Sequence, residues 1–323
     1  MPDKEMQAAV TILRHGGLVA FPTETVYGLG ADAANPAAVA RIFTAKGRPP
    51  NHPVIVHIGG VEQLSRWAMD IPPAAYLLAK QFWPGPLTLI LKRHPQVSDV
   101  VTGGQDSIGL RVPGHPMALA LLAAFGGGIA APSANRFGRI SPTTAAHVHA
   151  ELGELVDCVL DGGPCQVGIE STILDLSQTH PRLLRPGAIS VAALEQALGA
   201  VLVAADGDAP RVPGKLAAHY APLTPLRLIS SEELSAAVRA HLKQGERIAV
   251  LAYSEVSPSA LCVWQQMPSD PAAYARALYA QLRSLDALQV DYILIEALPE
   301  EAAWQAVGDR LQRAAWVEPK LDR

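Results

Sequence analysis

Apolar residues in this chain come in short runs, several of them punctuated by a proline or glycine. Gly17-Leu-Val-Ala-Phe21 ends at Pro22 and has the length of a buried strand. Val54 to Ile58, Leu87 to Leu91, Gly128 to Ala131 and Ser171 to Leu176 read the same way. Pro36 to Phe43 predicts a helix with Asn35 as its N-cap and Pro36 at its first position, and Met117 to Phe125 an apolar helix. Beyond residue 225 the pattern alternates: Leu226 to Ile229, Arg247 to Tyr253 and Tyr292 to Glu296 as strands, Ser231 to Gln244 and Pro271 to Asp286 as helices. Such alternation favours a small parallel α/β sheet. No run approaches the ~18 uncharged apolar residues of a membrane span, and there is no internal repeat.

With 323 residues the chain suggests two domains. Asp206 to Pro225 is rich in Pro, Gly and Ala and lacks apolar periodicity, so it reads as a linker. It is an unusual one, because Lys215, His219 and Tyr220 all sit in it. The expected division is 1–203, a linker over 204–225, and 226–323. A net charge of −4 excludes a whole-molecule basic footprint for duplex nucleic acid. Three cysteines, none in a Cys-x-x-Cys pair, make neither a disulfide framework nor a zinc site. MPDKEMQAAVTILRHGG carries no signal-peptide core. The expectation is a soluble protein of a reducing compartment, the cytoplasm.

Candidate chemistry gathers where strands end. In Phe21-Pro-Thr-Glu-Thr-Val-Tyr-Gly-Leu-Gly30, hydroxyls and backbone N–H groups can line a pocket, or simply satisfy a tight turn. It matches neither phosphate-loop fingerprint. Lys46 and Arg48 bracket a glycine and lead into Pro-rich backbone, a point charge and a fork suited to polyphosphate. His52 and His57 lack the spacing of a metal pair, and His57 suits a pocket hydrogen bond. Arg111, between apolar neighbours, must find an anion: a substrate carboxylate or an internal Asp would both serve. Ser133 and Asn135 have no histidine beside them and look like binding groups rather than a nucleophile. Ser171 and Arg185 follow at further strand ends. Together with Arg136 and Arg139 these cations compose a site for a highly anionic ligand, with no metal cage and no covalent nucleophile. Phosphoryl or nucleotidyl transfer by positioning and charge neutralisation fits that composition.

FPTETVYGLG, AKGRPPNHPVIVHI, FWPGPLTLIL, GLRVPGHP, APSANRFGRISPT, DGGPCQVGIESTILDL and LRPGAIS, in this order over residues 8–195, resemble the L-threonylcarbamoyladenylate synthases, the YrdC-like family. PGKLAAHYAP and the α/β tail with VGDRLQRAA resemble its two-domain form, although Leu-Ala-Ala stands where the family more often has an aromatic or basic residue. The resemblance implies an α/β fold: a twisted mixed sheet with helices around a large basic cavity, plus a small Rossmann-like α/β domain. It implies synthesis of threonylcarbamoyl-AMP and pyrophosphate from L-threonine, bicarbonate or CO2, and ATP, the product being passed to tRNA by other proteins. Lys46, Arg48, Ser133 and Asn135 carry the family's Lys-x-Arg and Ser-x-Asn pairs as catalytic residues. Lys46, Arg48, His52, Ser107, Ser133, Ser141 and Arg185 are implied to hold ATP, with His219 or Tyr220 near the nucleotide. Thr25, His57, Arg111, Ser171 and the backbone at Ala131 are implied to hold L-threonine. Mg²⁺ is expected on the ATP phosphates, without dedicated protein ligands.

Two other readings stand beside this one. Carbamoyl transfer of the hydrogenase-maturation kind calls for zinc-finger cysteine pairs and an acylphosphatase-like segment, and both are missing. An RNA-binding module is disfavoured by a pI of about 6.2 and 5 % aromatic residues. Trp264, Trp304 and Trp316 read as core or interface residues rather than a ligand cage.

Overall fold

The computed structural model describes residues 3–204, 207–214, 219–254 and 262–315. Lys215 and Trp316 lie outside the described residues. The chain divides into two compact units, residues 1–137 with 141–215, and residues 138–140 with 216–323.

The first unit is built on nine strands: β1 (Val19–Phe21), β2 (Gly28–Asp32), β3 (Ile55–His57), β4 (Leu87–Lys92), β5 (Ser107–Arg111), β6 (Ile129–Ala130), β7 (Cys158–Val159), β8 (Thr172–Asp175) and β9 (Arg182–Arg185). They lie in the order β7-β1-β2-β6-β3-β5-β4-β8-β9. The sheet is mixed, as expected: β1/β7, β3/β5 and β4/β8 are parallel, the other neighbours antiparallel. The predicted helix forms over Pro36–Lys46, three residues longer than the apolar pattern suggests. Asn35 caps it, its side-chain oxygen accepting from the N–H groups of Ala37 and Ala38 at 3.1 and 3.2 Å. Gly47 ends it at φ +62°, a left-handed value that glycine adopts without strain.

Side chains alternate across a strand, and here the alternation separates a core from a chemical face. Val56, Leu89, Leu91, Ile108, Leu110 and Leu174 enter the main core. The opposite face carries an apolar floor of Ile55, Ile90 and Ile173 with Leu184 and Val212. Pairing of Ile55 with Gly109, and of His57 with Arg111, sets His57 and Arg111 side by side on that second face.

The second unit holds four parallel strands, β10 (Leu226–Ile229), β11 (Ile248–Ala252), β12 (Val263–Gln266) and β13 (Tyr292–Glu296), in the order β10-β13-β11-β12. Helices Ser231–Lys243, Pro271–Asp286 and Gln305–Ala314 complete an α/β unit of the expected class. Its core joins Leu234 and Val238 to Ile248, Val250 and Leu294. Trp304 is buried against Tyr253 and Tyr274. Trp264 is half-buried on the edge strand β12. Among the described residues no helix is long and apolar enough to cross a membrane.

Candidate active site

Two anchor points organise the site in the first unit. At the first, Lys46 closes its helix with the side chain buried. Its Nζ donates to the carbonyl oxygens of Ser133 and Asn135, and its own carbonyl accepts from Phe137 N–H at 2.8 Å. One lysine thus fastens the Ser-x-Asn loop. That loop is also held from below, because Leu29 N–H donates to Pro132 O, Ala134 N–H to Tyr27 O and Tyr27 N–H to Pro142 O. Gly28 lies under it, and a Cβ there would stand 3.2 Å from that of Ala131. Burial drives the Lys46 amine well below its ordinary pKa, the nearby Arg48 adding to the fall. A polyphosphate is the kind of partner that would restore the ammonium. Arg48 is buried too and donates from Nη2 to Pro53 O at 2.7 Å. Burial, then Arg48 and Arg211, also lower His52, whose ring meets Phe137 edge-on at 5.3 Å.

The second anchor point is Arg111, 4 % exposed. Its Nε donates to Gly85 O at 3.1 Å and its Nη2 to Thr25 Oγ1 at 3.0 Å. The anion that the sequence demanded is Glu24, with Oε1 2.7 Å from Nη2. Glu24 itself is held by Gly114 N–H, which donates to Oε2 at 2.9 Å. Beside Arg111 stands His57, 3 % exposed, and neither ring nitrogen has a hydrogen-bond partner among the described residues. Desolvation, reinforced by the Arg111 charge, pulls its pKa down to about 3. A neutral buried imidazole without partners is costly unless a ligand completes it.

A third group of polar residues is held by hydrogen bonds of its own. Ser171 and Thr88 share a 2.8 Å hydrogen bond between their hydroxyls. Arg185 donates from Nη2 to Ser171 Oγ at 3.1 Å and from Nε to Ser171 O at 3.0 Å. Ser141 Oγ donates to Glu170 Oε1 at 2.5 Å. Ser107 is buried at the start of β5. Ala131 N–H is already used, donating to Ile55 O at 2.9 Å.

The structure therefore brings Lys46, Ser133 and Asn135 into one contact set, Thr25, His57 and Arg111 into a second, and Ser171 with Arg185 into a third. It places the others differently. Arg136 is exposed, and Arg139 is paired with Asp286 at 3.1 Å, so neither joins the cation cluster of the first unit. His219 and Tyr220 belong to the second unit. Tyr220 is buried at φ +62°, stacked on Tyr279 and facing the Arg310 guanidinium. Sequence reasoning missed Glu24, Glu170 and Thr88. A signal for the two acids existed: each stands inside a hydroxyl-rich strand end, Thr-Glu-Thr and Ile-Glu-Ser-Thr. Cys165 is buried here as well, but burial pushes its thiol up to about 12, with Glu24 adding to the rise. It stays protonated and is no nucleophile.

Buried cations facing hydroxyls, a neutral histidine and an arginine–carboxylate pair suit a ligand that is anionic at one end and amphoteric at the other. Comparison with known proteins places the chain in a family. A family model named Sua5/YciO/YrdC and described as telomere recombination matches residues 11–187. A second, described as threonylcarbamoyl-AMP synthase, C-terminal domain, matches residues 189–316. A threonylcarbamoyl-AMP synthase of Bacillus subtilis is 40 % identical, over 97 % of this chain and 93 % of its own. One from Pyrococcus abyssi is 39 % identical over 96 % and 94 %. The solved structure of P. abyssi Sua5 complexed with L-threonine superposes with a TM-score of 0.89 at 38 % identity, covering 96 % of this chain and 94 % of that one.

Proposed function

The chain belongs to the Sua5/YciO/YrdC family, and from that premise we infer that it is a threonylcarbamoyl-AMP synthase. It joins L-threonine, CO2 or bicarbonate, and ATP into L-threonylcarbamoyl-AMP and pyrophosphate, the first step toward threonylcarbamoyladenosine in tRNA. The observation that carries this reading is identity near 40 % along almost the whole of both chains.

The chemistry joins two anions. The threonine amine captures CO2 as a carbamate, and the carbamate oxygen attacks the α-phosphorus of ATP while pyrophosphate leaves. Fixed positive charge around the approach lowers that barrier. We assign Lys46 and Arg48 to the phosphates, with His52, Ser107, Ser133, Ser141 and Arg185 also holding ATP. Ser133 and Asn135 set the reacting groups, since the loop that presents them hangs on Lys46. Arg111 is the threonine carboxylate clamp. Its Nη1 makes no hydrogen bond among the described residues, while Nε and Nη2 are held by Gly85 and Thr25. His57 offers its unpartnered nitrogens to the threonine polar groups, beside Thr25, Ser171 and the Ala131 backbone. His219 and Tyr220 stay proposed nucleotide contacts, to be tested by substitution.

Mg²⁺ fits this donor set as an ion arriving on the nucleotide. Among the described residues no three His, Cys, Asp or Glu side chains cluster. Of the buried carboxylates, Glu24 and Glu170 already accept from Gly114 N–H and the Ser141 hydroxyl. Phosphate oxygens and water would then be its main ligands, and when bound it supplies further charge neutralisation. The downstream transferase proteins that take the product, and a cytoplasmic location, belong to the same proposal.

The test is pyrophosphate release from Mg-ATP with L-threonine and bicarbonate omitted one at a time. Release that needs both is the expected result. Release without threonine would replace this reading with plain ATP hydrolysis or another acceptor.

A further inference from the structure

We propose that Glu24 is the ammonium subsite for the amino-acid substrate, so that Glu24 and Arg111 together read the two charges of a zwitterion. The proposal rests on the synthase reading above and deepens it.

Glu24 is 7 % exposed. Its two oxygens differ. Oε2 accepts from Gly114 N–H at 2.9 Å, which fixes the carboxylate in place. Oε1 is ion-paired with Arg111 Nη2 at 2.7 Å, yet among the described residues no N–H or O–H is aligned on it. A buried carboxylate oxygen in an ion pair without an aligned donor keeps acceptor capacity for a further cation. Arg111 cannot turn to satisfy it, because its Nε and Nη2 are committed to Gly85 O and Thr25 Oγ1.

An α-amino acid resolves both deficits at once. Its carboxylate takes the edge of Arg111 that is left open, and its ammonium, one carbon away, comes within reach of Oε1. Charge also balances. Removing the substrate leaves a neutral Glu24–Arg111 pair, and adding a zwitterion leaves the total unchanged, so no net charge is buried on binding. A hydroxy acid of the same shape carries only the anion and would strand Glu24 beside a new carboxylate. The pair therefore discriminates amino acids from hydroxy acids as well as holding them. It also fixes the nitrogen that must meet CO2: the ammonium first gives up one proton to water, the freed lone pair then attacks the carbon, and a second proton leaves as the carbamate forms, which makes Glu24 a substrate-binding residue of the reaction.

The test compares L-threonine with its analogue in which hydroxyl replaces the α-amine, 2,3-dihydroxybutanoate of matching configuration. Binding of each to the full-length protein is measured by calorimetry, for wild type and for Glu24→Gln. Wild type is expected to favour threonine strongly. Glu24→Gln keeps the shape and loses the charge, and the preference is expected to shrink by roughly ten- to a hundredfold, the value of one charge-assisted hydrogen bond. A merely structural role would weaken both ligands together and keep the ratio, and an unchanged ratio overturns the proposal. Glu24→Asp, which restores the charge on a shorter arm, is expected to recover part of the preference; a ratio no better than that of the Gln variant counts against the subsite. Failure of the parent reading looks different: wild-type protein would then bind no threonine at all.

Discussion

Replacing Lys46 by methionine removes one ammonium and keeps the length of the chain. In the structure that ammonium serves the carbonyls of Ser133 and Asn135, so two buried acceptors lose their donor. Each orphaned group costs ~1–3 kcal/mol. Part of that is returned, because burial disfavours the ammonium form that methionine removes, as the downward direction of its pKa shows. A net loss of about 1–3 kcal/mol follows. In a unit of this size ~1 kcal/mol moves Tm by about 2–4 °C, so a fall of a few degrees is expected in a thermal scan. Turnover suffers more. Losing one preorganised positive group facing developing phosphate charge is worth ~10²–10³-fold in rate, and the loosened Ser-x-Asn loop adds to the loss. Pyrophosphate release at saturating ATP, threonine and bicarbonate reads this directly. Lys46→Met protein that folds and turns over within about threefold of wild type would refute the placement of Lys46 on the phosphates.

His57 sets an acid limb to stability. Its native pKa is lowered to about 3 against an ordinary ~6.5, so below pH 6.5 the unfolded chain binds a proton that the folded protein refuses. Stability attributable to His57 therefore falls as the pH drops from about 6.5 toward 3, by on the order of 3 kcal/mol at pH 4. Urea unfolding of wild type and His57→Gln at pH 7 and pH 4 checks this; parallel losses in the two proteins would contradict it. Asn35→Ala deletes the two cap bonds to Ala37 and Ala38 and is expected to cost about 1 kcal/mol, with catalysis kept apart from the stability change. Ser171→Ala breaks the Thr88–Ser171–Arg185 chain. It is expected to raise the threonine KM about tenfold or more while moving kcat less, and an unchanged KM would remove Ser171 from the threonine subsite.

Local signals in the sequence were strong where one residue settles the backbone. Asn35 and Pro36 announce their helix, apolar runs closed by Pro or Gly announce β1, β3 and β6, and short apolar stretches mark β4 and β8. Strands without such a pattern stayed hidden. β2 reads Gly-Leu-Gly-Ala-Asp, with two glycines that disguise it as a turn. β12 is an edge strand whose side chains are only partly covered, so it shows no alternation. Site residues divide in the same way. Lys46, Arg48, Arg111 and Ser133 stand out as polar groups at strand or helix ends. Their partners do not, because a pairing such as Arg111 with Glu24 joins residues 87 positions apart in the chain. Arg139 shows the opposite error: a cation in a promising motif whose carboxylate, Asp286, lies far along the chain.

The central claim is that three substrates are joined on one site, and following the carbon tests it most directly. Full-length protein is incubated with ¹³C-bicarbonate, L-threonine and Mg-ATP, and the nucleotide products are analysed by mass spectrometry. The account predicts a threonylcarbamoyl-AMP species that carries the label and vanishes when any one substrate is withheld. AMP or ADP without a labelled adduct, from protein that binds both ATP and threonine, would contradict it.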